Sequence, residues 1–345
     1  MKKMWKTAAA VCAATVMMSL LGSCKHDDYH YVPGGGGYNP GSDDSDEREP
    51  LAISGNVLTR CYNEYIPSDG FIEIPDGVKS IGGGAFSNCS NLTSVKIPDS
   101  VTSIGDGAFR SCSSLTSVTI PDSVTNMGEY AFYYCKSLTN VTIGKGVKSI
   151  GYFAFSECSS LTSVEIGSGV ESIESNAFKK CSSLTSVKIG SGVKSIGYFV
   201  FSGCSSLTSV TIPDSVESIG SYAFEQCESL TSVEIGSGVK NIEGGAFSSC
   251  FELTNVTIPD SVETIGTYAF SSCHNLTSVT IGKGVTSIER GAFSICDSLK
   301  SVTFADTNGW HCNNEKINVT SPTINATKLR YAWSDKPLYK ETTQE

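Results

Sequence analysis

Ten cysteines, at positions 89, 112, 135, 158, 181, 204, 227, 250, 273 and 296, follow one another at intervals of 23 residues without an insertion. Such a register is what a stack of equivalent coils requires, each coil resting on its neighbours. Taking the unit from Ala223, the frame is Ala-Phe-x-x-Cys-x-x-Leu-x-x-Val-x-Ile, a turn, then Val-x-x-Ile and most often Gly. Eight of its 23 positions are apolar. One coil cannot bury them alone, but coils stacked about 4.8 Å apart share a continuous core, and ten of them make a rod roughly 50 Å long.

The spacing inside a coil predicts its local structure. Ala223, Phe224 and Cys227 fall at helical spacing and predict one short helical turn. Val233 and Ile235 alternate with Glu234 as in a half-buried strand. The expected fold class is therefore an α+β repeat solenoid, with short strands and a helical turn in each coil. Turn formers follow the strand, Pro-Asp-Ser at 213–215 and 259–261 or Gly-x-Gly at 236–238 and 282–284. Val239 and Ile242 stand three apart, which a straight strand cannot bury on one face, so a second, bent short strand is expected there. The residue after the second isoleucine is usually glycine, yet Glu174, Glu243 and Glu289 also occupy it, so that site does not require a left-handed backbone.

The unit LTSVTIPDSVTxIGxxAFxxC resembles the BspA-like subclass of leucine-rich repeats found in bacterial surface antigens. The resemblance runs over residues 72–304, where leucine, cysteine and the Ala-Phe pair recur together and only Val200 replaces the alanine. It implies a leucine-rich-repeat-like stack and a protein of the cell surface that adheres to host or cell-surface macromolecules. The chain departs from the more familiar leucine-rich repeat in having serine or glycine, as at Ser100 and Gly146, where an asparagine ladder is expected.

One cysteine per coil, ranked along a line, does not converge on a metal as paired cysteines would, and no metal or other cofactor is expected. Two readings of the ladder stand. Its thiols are small buried hydrophobes with a weak S–H donor, or neighbours about 5 Å apart oxidise in pairs.

Both ends depart from the frame. Residues 51–71 interrupt the register and are expected to cover the first coil. Residues 305–345, with Trp310, Tyr331, Trp333 and Tyr339, are expected to cover the last. Ahead of them, Lys2, Lys3 and Lys6 precede an uncharged, mostly apolar run from Thr7 to Leu21, which reads as an export signal over residues 1–23. The stretch LLGSC resembles a bacterial lipoprotein box and implies that Cys24 receives the lipid, anchoring the chain at the outer membrane or cell surface. Residues 24–50 contain four consecutive glycines, three prolines and an acidic end, the composition of a disordered tether. Contact with a membrane is expected through the lipid alone.

The formal net charge is −10, and no segment forms the basic stripe that nucleic acid demands. No phosphate-cradling loop, His-Glu-x-x-His or nucleophile elbow occurs. His274 and His311 adjoin cysteines, but neighbours on a strand point to opposite faces, so no Cys-His centre and no enzyme is expected.

One row breaks the monotony. Three residues after the second isoleucine stand Gly84, Gly107, Tyr130, Phe153, Asn176, Phe199, Tyr222, Gly245, Tyr268 and Gly291, and the preceding position adds Tyr152 and Tyr198. These rings are either outer core over the Ala-Phe turn or a ligand face. On the second reading the candidate binding residues are Tyr130, Tyr152, Phe153, Tyr198, Phe199, Tyr222 and Tyr268, and the partner is a protein or a glycan. A spacer without a ligand, or an accessory subunit of a surface assembly, is the alternative to a binding module.

Overall fold

The computed structural model describes residues 49–331 and 335–340. The expectations for residues 1–48, Cys24 and the tether among them, lie outside the described residues, as does Trp333. The repeats form a solenoid of about eleven turns. Each full coil contributes a strand of three or four residues to an eleven-stranded parallel sheet, as Ser209–Ile212 does, and a two-residue strand to a second sheet, as Ser218–Ile219 does. Neighbouring strands pair in register at 23-residue offsets, Ser209 with Ser232 and Ile219 with Ile242. Valine and isoleucine of the longer strand point inward while the residue between them is exposed, and the bent second strand appears as expected.

The expected helical turn does not form, and the α+β description is corrected accordingly. Helix among the described residues is confined to the ends: a 3-10 turn at Asn63–Tyr65 and a nine-residue helix, α1, at Pro322–Arg330. In the repeats, backbone donors from Asn176 onward alternate. The N–H groups of Ala177, Lys179 and Cys181 reach back three residues to Glu174, Asn176 and Phe178, whereas those of Asn176, Phe178 and Lys180 donate to Tyr198, Val200 and Ser202 of the next coil. Asn176 and Lys180 adopt left-handed φ values of 63° and 58°, which no α-helix accommodates. The spacing of Ala, Phe and Cys is thus met by two consecutive tight turns, and every second donor is released to bind the neighbouring coil.

Inside, ten phenylalanines from Phe86 to Phe293 form one unbroken column of parallel rings, with centroids 4.7–5.4 Å apart. Beside it runs the cysteine ladder, fully buried and without disulfides among the described residues. The Cys204 thiol donates to the Phe178 carbonyl at 3.3 Å, and the other ladder thiols from Cys112 to Cys296 repeat that contact at 3.0–3.3 Å.

Outside the core, hydroxyls staple coil to coil. Threonines from Thr116 to Thr277 each donate to the carbonyl of the threonine 23 residues earlier, at 3.0–3.4 Å. In the Pro-Asp-Ser turns Ser100, Ser123 and Ser215 donate to the preceding coil's valine carbonyl. At Gly146 the carbonyl of Asp122 occupies the space a side chain would need, which explains the glycine.

The 23-residue register reaches further back than the cysteines indicate. Val57 and Leu58 pair with Ser80 and Ile81, and Phe71 pairs with Ser94, all at the repeat offset. Residues 57–79 are therefore a degenerate coil of normal length in which Ile66 stands at the ladder position, and the strand Leu51–Ser54 folds antiparallel onto it. At the far end Leu338–Lys340 runs antiparallel to Ser287–Ile288, α1 packs on the strand Ser301–Phe304, and Trp310 is buried edge-on against Phe304. The Asn325 side chain on α1 donates to the Val302 carbonyl at 3.0 Å and so caps that sheet edge.

Candidate functional site: the turn face

The repeats serve as their own alignment. At the inward-facing positions of the two sheets the same residue types return coil after coil, but along the outer side of the double turn they do not. Successive coils read Glu129-Tyr130, Tyr152-Phe153, Ser175-Asn176, Tyr198-Phe199, Ser221-Tyr222, Gly244-Gly245 and Thr267-Tyr268.

All members of the second row, from Gly84 to Gly291, hold left-handed φ between 56° and 67°. Glycine or asparagine is the undemanding choice there, whereas a bulky residue is strained by about 1–2 kcal/mol. Tyr130, Phe153, Phe199, Tyr222 and Tyr268 nevertheless occupy it. Part of that cost is offset by stacking: Tyr130 lies on Phe153 and Phe199 on Tyr222, each pair with centroids 4.9 Å apart. The ring of Tyr222 also covers Gly245, and that of Tyr268 covers Gly291, where any Cβ would collide with the ring.

The structure thus places the seven candidate residues on one side of the coil, but in two different roles. Tyr152 and Tyr198 project, 44 % and 58 % exposed, while Phe153, Phe199 and Tyr222 are half-buried. Tyr130 and Tyr268 lie between these extremes. The rings are neither core nor free appendages; they form a surface layer resting on the turn.

Polar groups that sequence reasoning passed over lie under and beside this layer. The Lys179 ammonium sits over the Phe199 ring, 4.7 Å from its centroid. Ser202, itself buried, shares a 3.1 Å hydrogen bond with Glu225. Burial lowers the pKa of Lys179 and raises that of Glu225, because desolvation disfavours both charges. Tyr152 titrates above the ordinary phenol range because the Glu174 carboxylate lies close by. Lys180 pairs with Glu157 at 2.9 Å, and Lys136 stands over the exposed Tyr134. The signal that could have found these residues is the same internal variation: Ser156, Lys179, Ser202 and Glu225 share one register position.

No cluster of His, Cys, Asp and Glu suited to a metal ion occurs among the described residues. Burial pushes the Cys204 thiol up to about 12 and raises several other ladder thiols, which leaves them protonated and poorly nucleophilic.

The model of the BspA type leucine rich repeat region matches residues 61–185 and 194–310, in six copies. The chain belongs to that family. Similar solved structures include leucine-rich-repeat proteins of bacteria. A leucine rich cell surface protein of Faecalibacterium prausnitzii A2-165 is 26 % identical, with 79 % of this chain and 96 % of that one covered and a TM-score of 0.37. A leucine-rich repeat protein of Bacteroides ovatus ATCC 8483 is 23 % identical, covering 72 % and 88 %, at a TM-score of 0.34. The pneumococcal vaccine antigen PcpA is 22 % identical, covering 68 % of each chain, at 0.44. No curated protein matches the chain. Membership agrees with a location at the cell surface and a role in binding protein.

Proposed function

We propose that this BspA-type repeat protein is a lipid-anchored binding module of the bacterial surface, adhesin-like, whose turn face engages a macromolecule on a host or neighbouring cell. The observation that carries the reading is the set of bulky rings kept, on the outer side of the double turn, at backbone positions that favour glycine. Repeat proteins hold their frame constant and vary the surface that meets a ligand. The test is to change Tyr130, Phe153, Phe199 and Tyr222 together to serine, confirm the fold by circular dichroism, and measure capture of host extracellular-matrix components. Loss of capture with the fold intact supports the reading; unchanged capture refutes it and favours a spacer. Anchoring through Cys24 is tested by Cys24→Ser and cell fractionation, with release from the membrane expected.

A further inference from the structure

The aromatic row is interrupted at Gly245, where the Tyr222 ring covers the gap, and at Asn176, where nothing aromatic does. Tyr130 and Phe153 stack on one side of Asn176, Phe199 and Tyr222 on the other. The projecting row is interrupted at the same coil, where Ser175 stands between Tyr152 and Tyr198. Coil 174–180 is thus a notch with a polar floor and aromatic walls.

Its dimensions and chemistry are specific. Walls two coils apart stand roughly 10 Å from each other, two strand spacings. A ring held between two ring faces at carbon contact distances of about 3.5–4.0 Å asks for roughly 7–8 Å. One face of Phe153 is covered by Tyr130 and its other looks into the notch; Phe199 carries the Lys179 ammonium on the notch side. Between them the half-buried Asn176 side chain makes no hydrogen bond among the described residues, leaving an amide with two donors and one acceptor. Ser175 is already engaged, accepting from the Tyr198 amide at 3.2 Å.

We propose that this notch is a subsite for one pyranose unit of a glycan, an inference that rests on the turn face being the binding face. A pyranose offers a C–H face to Phe153 and a rim of hydroxyls to the Asn176 amide, to the Lys179 ammonium and to the hydroxyls of Tyr152 and Tyr198. A peptide side chain would meet the ring face equally well, but it would leave most of this polar rim unmatched, at a desolvation cost.

Two substitutions separate the subsite from the fold. Asn176→Phe fills the notch and joins the two stacks, using a residue that Phe153 and Phe199 show to be tolerated at that backbone angle. Asn176→Gly keeps the left-handed backbone and removes only the amide. Saturation-transfer NMR on the full chain, with methyl hexopyranosides and methyl glucuronide as probes, is expected to show transfer from protein aromatic protons to sugar ring protons. That transfer should vanish in Asn176→Phe and reflect binding weakened roughly three- to tenfold in Asn176→Gly. Absence of transfer to every probe, or equal transfer to Asn176→Phe, overturns the subsite. So does capture of matrix material that survives its enzymatic deglycosylation, an outcome that points to a protein partner. If the four-serine variant still loses that capture, the binding face stands and the sugar subsite alone is wrong.

Discussion

The interior and the turn face are built from the same coils, yet they obey opposite rules. Inside, phenylalanine, cysteine and leucine return ten times with scarcely a substitution, because each side chain must match the one above and the one below. Outside the double turn the same backbone carries glycine, asparagine, tyrosine or phenylalanine at one left-handed position. Stacking makes every interior residue part of two interfaces, so uniformity there is a packing requirement. The turn face has no such obligation, and its variety therefore needs another cause. If that contrast is right, disturbances of the interior should be large and cooperative, and disturbances of the face small.

The largest expected effect comes from pH. An unfolded thiol ionises near its ordinary value of 9.0, whereas Cys204 in the fold does so at about 12, and Cys112, Cys158, Cys181, Cys227, Cys250 and Cys273 are likewise raised. Between the two values the folded state keeps a proton that the unfolded chain has released. Stability is therefore fully present below about pH 9 and falls as pH rises through that value, by up to roughly 1.4 kcal/mol per thiol per pH unit. Denaturant titrations at pH 7, 9 and 10 should show the midpoint dropping steeply across the last interval. A flat profile would mean that the ladder is not buried as described.

Next in size is a single ring. Phe178→Ala opens the column between Phe155 and Phe201 and should cost about 3–5 kcal/mol, whereas Tyr198→Ser on the face should stay within about 0.5 kcal/mol. Urea midpoints of the two variants give the ratio directly. Comparable losses would erase the distinction between interior and face.

That distinction was only half legible in the amino-acid order. Interior positions announce themselves because a 23-residue repeat of Leu, Val and Ile has one physical explanation, coil stacking. The turn was misread as helical because Ala223, Phe224 and Cys227 satisfy helical spacing and double-turn spacing alike. What separates them is the glycine-or-asparagine habit at Gly84, Gly107, Asn176, Gly245 and Gly291, which signals left-handed backbone and is masked where rings intervene. The degenerate first coil escaped notice for a related reason: Tyr62, Asn63 and Ile66 replace Ala, Phe and Cys, so its motif is gone although its length is not. Of the site, the rings were visible as a row. Their stacking, the Lys179 contact and the Ser202–Glu225 pair depend on neighbours in the next coil, 20 to 23 residues away, and only the folded stack brings those together.

A smaller effect is expected where charge meets the stack. Lys148, Glu171, Lys194, Glu217, Lys240 and Glu263 occupy one register position with strictly alternating sign, and Lys148 approaches Glu171 to 3.5 Å. Both partners of that pair are well exposed, so each neighbour contributes little, but a coil stacked one place out of order would set lysine on lysine. Lys194→Glu places three like charges in sequence and should cost about 0.5–1 kcal/mol at low salt, a loss that shrinks in high salt. Refolding yield should fall at low ionic strength more than stability does. A yield indifferent to salt would show that the alternation does not guide coil order.

The smallest effect is the most telling for function. Tyr222→Asn exchanges a strained ring for a residue that accepts the left-handed conformation, as Asn176 shows at φ 63°. Relief of strain contributes about 1–2 kcal/mol, while the lost stack on Phe199 and the lost cover over Gly245 remove about 0.5–1.5 kcal/mol plus some apolar burial. The terms nearly cancel, and the net change in stability should lie within about 1 kcal/mol of zero. A destabilisation of several kcal/mol would assign the ring to the outer core. A neutral result would leave the tyrosine without a structural justification at a position where glycine or asparagine is easier to place, and would make contact with a partner the remaining physical reason for its presence.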